Sequence, residues 1–330
     1  MILSIESSCD DSAIAVTEIA SRKLLFHRKI SQESAHAAYG GVVPELASRL
    51  HAVDLPKLLE AAKPYLPDIQ AVAVTNAPGL SVTLLEGVAM AKALSIALGL
   101  PIVAVNHLKA HIYSLFIEKE ALFPMMVLLI SGGHTLVLDV HADDDIEILA
   151  STMDDSFGES FDKVAKMMGL GYPGGPIIEK LAEKGDPDRF DLPVPLKHSP
   201  KIAFSYSGIK NAVRLLIEKH APLDERTMAD IAAVFQKVAI EHLLQKTKKI
   251  FQQRHPRDFA IVGGASANQE VRRVFADLCA TFGATLHLAP LEFCADNAAM
   301  VGRCGIEGYL QEAFTDALTL EAIPRVDKIL

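Results

Sequence analysis

A two-lobed α/β fold is what the sequence predicts, and three observations carry the expectation. The chain has 330 residues, more than a single core comfortably supports. Short apolar runs that fit strands alternate with longer stretches of helical spacing, the pattern of layered α/β proteins. The opening strand–turn–strand, "MILSIESSCDDSAIAVTEI", recurs in form at residues 125–140 as "MMVLLISGGHTLVLDV". A repeated hairpin predicts two related lobes, each presenting a small polar turn to a shared cleft. Two ordinary hairpins in an α/β protein are the plainer alternative.

The elements follow in order. "MILSIES" is a strand, "SCDDS" a polar turn and "AIAVTEI" the return strand. Helical spacing runs from Pro44 to about Lys63, then "IQAVAVTNAPG" is a buried strand entering a glycine turn. Residues 82–98 carry Ala and Leu at helical intervals, and "LPIVAVN" is a short strand leading into a helix over residues 107–115. After the second hairpin, Asp162 and Lys163 open another helical run, which ends in the "YPGGP" turn. Residues 185–205 are proline-rich and aperiodic, an ordered loop or small insertion. A long helix spans residues 228–252, with Ile231, Phe235, Val238, Leu243 and Ile250 on its apolar stripe. "FAIVGGASANQEVRRVFADL" reads as strand, Gly-Gly turn and helix, and "LHLAPLEFCADNAAMVGRCGIEGYL" as strand, loop and helix.

Bulk properties exclude several classes. Half the residues are apolar and 22% are charged, as in a compact globular protein. The acidic start lacks the basic and apolar regions of an export signal. The apolar runs are broken by polar or glycine turns, so no membrane span is expected. Cys9, Cys279, Cys294 and Cys304 form no CxxC pair and suit a reduced, cytoplasmic compartment. A net charge of -9 argues against non-specific coating of DNA. "KTKKIFQQRHPR" and Arg272–Arg273 offer a local basic surface, with a solvated helix face as the alternative.

Five stretches could carry chemistry. His107 and His111 in "VNHLKAH" lie one helical turn apart, so both rings can converge on one ion. The pair is not HExxH: no acid stands beside the first histidine to act as a protease base. Two ligands are too few, and Asp296 in "FCADNAAM" is the candidate third, at a loop-to-helix transition where it either caps the helix or ligates. Asp10 and Asp11 sit in the first turn, able to position water, a metal or a phosphate-bound cation, and Glu6 at the strand edge could orient them. In "YPGGP" the glycines allow close backbone approach to a ligand. In "GGASANQEVR" the Gly263–Gly264 turn could place Asn268 beside one, although no P-loop sequence is present.

The chain also resembles the bacterial tRNA adenosine threonylcarbamoyltransferase family, which has a KEOPS counterpart in archaea and eukaryotes and a mitochondrial relative. The resemblance lies in "IESSCDDS", "SQESAHAAYGGVVPELASRLH", "NAPGLSVTLLEG", "VNHLKAH", "LLISGGHT", "DDSFGESFDKVAKMMGLGYPGGP", "FSYSGIKNA", "VGGASANQEVR" and "FCADNAAM", in order from residue 5 to about residue 300. It implies the fold of actin, Hsp70 and sugar kinases, two lobes around an interlobe nucleotide cleft. Residues 1–108 and a C-terminal helix near 300–330 would form the first lobe, and residues 109–299 the second, with an insertion around 185–205.

What the resemblance implies for function is specific. His107, His111 and Asp296 would bind one divalent metal, Fe2+ or Zn2+, and Mg2+ could accompany ATP. Leu129, Ile130, Ser131, Gly132, Gly133, Asp162, Gly175 and Asn268 would contact substrate. Glu179 stands where many members have an aspartate that reaches ribose. The expected reaction moves threonylcarbamoyl from threonylcarbamoyl-AMP to N6 of adenosine 37 in tRNAs reading ANN codons. Asp10 and Asp11 are the candidates for managing water or a proton. Expected partners are tRNA, a smaller paralogous subunit, a small P-loop ATPase and a separate synthase that makes the donor, with no membrane. Three departures stand out: Asp11 is shorter than the family's usual glutamate, and Asn76 and Ser81 occupy positions often smaller. A glycoprotease, a kinase of the same fold or a nucleotide-gated scaffold would each lack metal-dependent transfer to tRNA.

Overall fold

The computed structural model describes residues 1–326 and residue 329. These fall into two compact units, one of residues 1–123, 143–145 and 289–330, the other of residues 124–142 and 146–288.

In the first unit the opening strand β1 (Ile2–Glu6) pairs antiparallel with β2 (Asp11–Thr17), which pairs antiparallel with β3 (Leu24–Ser31). A short helix α1 (Glu33–His36) and the long α2 (Pro44–Ala62) follow, the latter started by proline in its first turn, where a missing N–H costs nothing. Strand β4 (Ala71–Ala77) pairs parallel with β1, helix α3 (Ser81–Leu98) crosses over, and β5 (Ile102–Asn106) pairs parallel with β4 before α4 (His107–Tyr113) begins. The sheet order is β3-β2-β1-β4-β5. Its core is aliphatic, built on Leu3, Ile5, Ile14, Val72, Val74 and Val88.

The second unit repeats this plan. Strands β6 (Met125–Ile130) and β7 (Thr135–Ala142) form the antiparallel hairpin, and β8 (Asp145–Ser151) is the edge. Helices α5 (Phe157–Met167), α6 (Gly174–Ala182), α7 (Ser207–His220) and α8 (Glu225–Arg254) come next. Strand β9 (Asp258–Val262) then pairs parallel with β6, and after α9 (Gln269–Phe282) strand β10 (Thr285–Leu288) pairs parallel with β9. The order β10-β9-β6-β7-β8 is that of the first sheet, strand for strand. The recurring hairpin is therefore a duplicated lobe and not two unrelated turns. Phe157, Phe161, Phe235, Phe251, Phe259 and Phe275 make this core aromatic.

The chain returns to the first unit with α10 (Ala298–Leu310), which packs on β1, β2 and β5. Gly302 and Gly305 permit this, since a Cβ would lie 2.9 Å from Ser4 Oγ at one and 2.6 Å from Ala73 Cβ at the other. Past Leu310 the expected helix gives way to a non-helical tail, in which Thr315 bridges to Ile102 and Ile323 N donates to Asn76 O. Residues 327, 328 and 330 of the expected terminal helix lie outside the described residues.

The first unit also runs past the expected boundary at residue 108, to Phe123. The cause is local packing: Tyr113, Phe116 and Phe123 form an edge-on aromatic cluster, and buried Arg303 of α10 donates to the carbonyls of Phe116 and Lys119. Helix α5 begins at Phe157, earlier than the Asp162 opening expected from the sequence. Ser156 and Glu159 form a capping box there, a signal the motif "SFGE" carries. Among the described residues α3 alone is long and apolar enough to cross a membrane, with a third of it buried, and it packs against α2 and β4.

Candidate functional site

Asn106 closes β5 and caps α4, its Oδ1 accepting from Leu108 N at 2.9 Å and Lys109 N at 3.3 Å. This starts the helix at His107 and sets His111 one turn on, with ring centroids 4.6 Å apart. Asp296 Oδ1 lies 3.2 Å from His111 Nε2 and 3.4 Å from His107 Nε2. The sequence allows Asp296 to be either cap or ligand. Asn297 is the cap of α10, its Oδ1 accepting from Met300 N at 2.8 Å, which leaves Asp296 to face the histidines.

Both rings are buried, and among the described residues neither nitrogen of His111 makes a hydrogen bond. Unsatisfied buried nitrogens are costly unless something else uses their lone pairs. One ligand atom from each of His107, His111 and Asp296 falls within 4.8 Å of the others. Two imidazoles and a carboxylate suit a transition metal of zinc or iron type, so the residues present fit the ion that the sequence implies.

Glu6 completes the centre from below. It is fully buried. Its Oε1 accepts from Ser8 N at 2.6 Å, its Oε2 accepts from Thr75 Oγ1 at 2.7 Å, and Oε2 lies 3.2 Å from His107 Nδ1. With the Nδ1 proton given to Glu6, the Nε2 lone pair of His107 is directed to the side shared with Asp296. Burial disfavours charge on Glu6, yet when the His107 ring is protonated its charge and hydrogen bond outweigh burial and hold the carboxyl below its usual range. Burial also pushes His111 down, keeping that ring neutral, the form that ligates.

Of the acidic pair, Asp10 is half-buried in the turn and Asp11 opens β2. Asp11 accepts from Lys29 Nζ at 2.8 Å, but burial prevails and pushes its carboxyl to about 7, helped by the charge of Asp296. The turn is braced by His51, whose Nδ1 lies 2.7 Å from Ser12 Oγ and whose Nε2 donates to Cys9 O at 2.9 Å. In this unit the structure thus gathers His107, His111 and Asp296 with Glu6 into one centre, and Asp11 feels the charge of Asp296.

The other candidates lie in the second unit. Leu129 and Ile130 are fully buried in β6, so only the Ser131–Gly133 turn beyond them is open to a ligand. Ser131 Oγ accepts from Gly133 N and His134 N, which shapes that turn. Asp162 Oδ1 accepts from Gly174 N at 2.7 Å and fixes the start of α6. Gly174 is the packed glycine of the pair, a Cβ there meeting Asp162 Cα at 2.6 Å, whereas Gly175 faces open space. Asn268 caps α9 by accepting from Val271 N, and its Nδ2 donates to Gln236 Oε1 at 2.9 Å. Glu179 Oε1 accepts from the adjacent Gln269 N at 2.6 Å. Glu179 and Asn268 thus meet at the start of α9, beside a pocket of about 830 Å3 lined by Glu179, Gln236, Lys237, Gln269, Glu270 and Arg273.

Sequence reasoning missed Glu6's part in orienting His107, as well as Thr75 and Gln236. Their partners are distant in the chain and no local spacing marks them. Arg273, expected in a basic surface, instead pairs with Glu270 and Asp277 on this pocket's rim. A second possible ligand group, Asp139, His141 and Glu147, is largely neutralised: Arg254 lies 3.6 Å from Asp139 and 3.0 Å from Glu147.

A family model described as TsaD, tRNA N6-adenosine threonylcarbamoyltransferase, matches residues 23–303. The tRNA N6-adenosine threonylcarbamoyltransferase of a Nitratiruptor species is 66% identical over 325 residues, which cover 98% of this chain and 99% of the relative. The chain belongs to this family. It is a tRNA-modifying transferase that installs the threonylcarbamoyl group on N6 of adenosine, and the triad of His107, His111 and Asp296 accords with that activity.

Solved structures agree on the fold. Full-length HypF in its phosphate- and nucleotide-bound form matches with a TM-score of 0.63 at 14% identity, covering 94% of this chain and 46% of HypF. Component A of the (R)-2-hydroxyglutaryl-CoA dehydratase of Acidaminococcus fermentans gives 0.56 at 14%, covering 94% and 98%. At such identities the likeness speaks for architecture alone: an α/β fold with two sheet-containing units.

Proposed function

We propose that the chain takes threonylcarbamoyl from threonylcarbamoyl-AMP, passes it to N6 of adenosine 37 in tRNAs reading ANN codons, and releases AMP. The observation that carries this is the convergence of two buried imidazoles and a carboxylate within a transferase family. The bond from N6 to the carbamoyl carbon forms, the bond from that carbon to the phosphate oxygen breaks, and N6 loses a proton. Adenine N6 is a weak nucleophile because its lone pair is delocalised into the ring, so alignment is the main demand.

His107, His111 and Asp296 would hold Fe2+ or Zn2+, which when bound supplies positive charge to polarise and orient donor oxygens. Asp11, whose carboxyl burial and the negative charge of Asp296 push to about 7, is the candidate to take the N6 proton, with Asp10 next to it. Backbone amides of the Ser131–Gly133 and Gly263–Gly264 turns would cradle the donor phosphate. Its adenosine would lie in the pocket beside Glu179, Gln236 and Asn268, whose size suits a nucleotide. That HypF, of the same fold, was solved with phosphate and nucleotide bound accords with a nucleotide ligand. A cytoplasmic setting goes with this chemistry.

Reconstitution tests it. This chain is combined with the smaller paralogue, the small P-loop ATPase, the donor synthase, an ANN-reading tRNA, threonine, bicarbonate and ATP. Threonylcarbamoyladenosine should appear in the digested tRNA only when the chain is present. An otherwise complete set that forms none rejects the proposal.

The Glu6 contacts give a further expectation. Glu6→Gln keeps the shape but not the acceptor charge, so metal affinity should fall about 10- to 100-fold, as for other residues that orient a ligating histidine. Competition with a chromophoric chelator measures it, and wild-type affinity in the variant would remove Glu6 from the centre.

A further inference from the structure

Resting on the tRNA-modifying function above, we propose that the tRNA backbone docks on a lysine surface formed by the 195–201 loop and the adjoining stretch of α8. The chain carries 41 acids against 32 lysines and arginines. Yet residues 192–204, "LPVPLKHSPKIAF", and 242–257, "HLLQKTKKIFQQRHPR", contain no acid. In the fold these two segments are joined. Lys246 is completely buried, and its Nζ donates to Leu196 O at 2.9 Å, Ser199 O at 3.3 Å and Lys201 O at 3.0 Å. Lys249 Nζ donates to the same Ser199 carbonyl at 3.0 Å. Two ammonium groups thus pin a proline-flanked loop from beneath, and Lys197, His198 and Lys201 of the loop are exposed, as is Lys248 of the helix.

None of these lysines has a carboxylate partner among the described residues. The other ion pairs of the unit draw on Lys163, Lys210, Lys237 and the arginines. Asp188, Asp191 and Glu241 stand at the margin, lining a neighbouring groove with Lys197 and His198, and Asp188 is paired with Lys237. Lys197, Lys201, Lys248 and Lys249, gathered on and beside a loop pinned from beneath by buried Lys246 in two stretches free of acid, give a local positive surface in an otherwise acidic protein. A polyanion is its complement. Point charges on flexible stems suit phosphates read without base identity, as expected of an enzyme acting on many tRNAs. The donor site does not fit the role, since the lysines belong to neither glycine turn nor the pocket beside Asn268.

The test compares wild type with K197E/K201E/K248E/K249E, and with K246M, which removes the pin without reversing charge. Binding of fluorescent tRNA to the chain is followed by anisotropy from 50 to 200 mM salt (roughly the range over which such contacts weaken steeply). The apparent KM for tRNA is measured in the reconstituted set. The quadruple variant should bind at least about tenfold more weakly, with a salt dependence shallower by about 3 in log–log slope. Its kcat at saturating tRNA, metal content and AMP binding should stay as in wild type. K246M should lie between the two.

Wild-type affinity and slope in the quadruple variant overturn the proposal. So does a loss confined to association with the protein partners, which would mark the surface as a protein interface. Absence of product with wild type would count against the functional proposal instead, while the anisotropy still decides this one.

Discussion

His111→Ala should retain less than about one hundredth of the wild-type metal affinity, judging from the 10- to 100-fold cost of losing a residue that merely orients a ligand. Threonylcarbamoyl transfer should fall with it. The expectation follows from how little else in the centre can substitute. His111 is fully buried, and among the described residues its two nitrogens make no hydrogen bond, so alanine removes a ring committed to nothing but the centre. His107 is held from behind by Glu6 and cannot turn to replace it. Asp296→Asn should behave alike, because the amide keeps the shape but supplies no anionic oxygen. Asn297→Ala is the control: it removes the cap of α10, costing about 1 kcal/mol of stability, and should leave metal content intact. Elemental analysis of the three purified variants, with thermal melts to confirm folding, decides the matter. Equal metal in His111→Ala and wild type sinks the ligand set.

The centre shows what a linear reading reaches and where it stops. The histidine pair is visible because both members sit on one helix, where a spacing of four means one face. Asp296 is visible only through its motif, and whether it caps or ligates is undecidable until Asn297 is seen to occupy the cap. Glu6 lies 101 residues from His107, and its other partners are Ser8 and Thr75. A buried carboxylate announces itself by its environment, and a sequence does not display environment. The lobes follow the same logic. Apolar runs and turns reveal the hairpins, and the matching sheet orders complete the duplication in topology. The stretch that ends the first segment at Phe123 is held by Arg303, which reaches residues 116 and 119 from the far end of the chain.

Gly263→Ala should weaken AMP binding by more than about tenfold, the effect of a little over 1.4 kcal/mol, while leaving the metal of the first unit in place. Gly263 follows β9 with φ +91°, a conformation L residues rarely adopt. A Cβ there would sit 2.4 Å from Ile130 O, far inside contact distance, and the obstacle is strand backbone that cannot rotate away. Relief must come from displacing either the end of β6, which carries the Ser131–Gly133 turn, or the turn that leads to Asn268. Both are proposed to hold the adenylate, so either movement spoils the site. Strain of this kind costs on the order of 1–3 kcal/mol, and the second unit should lose comparable stability. Gly208→Ala provides the contrast: within α7, with nothing near the added methyl and no positive φ, it should be neutral or stabilising by up to about 1 kcal/mol. Calorimetric titration with AMP and metal analysis on the same preparations separate the effects. If Gly263→Ala binds AMP as wild type does, the glycine turns are not the phosphate cradle, and the adenylate must lie elsewhere.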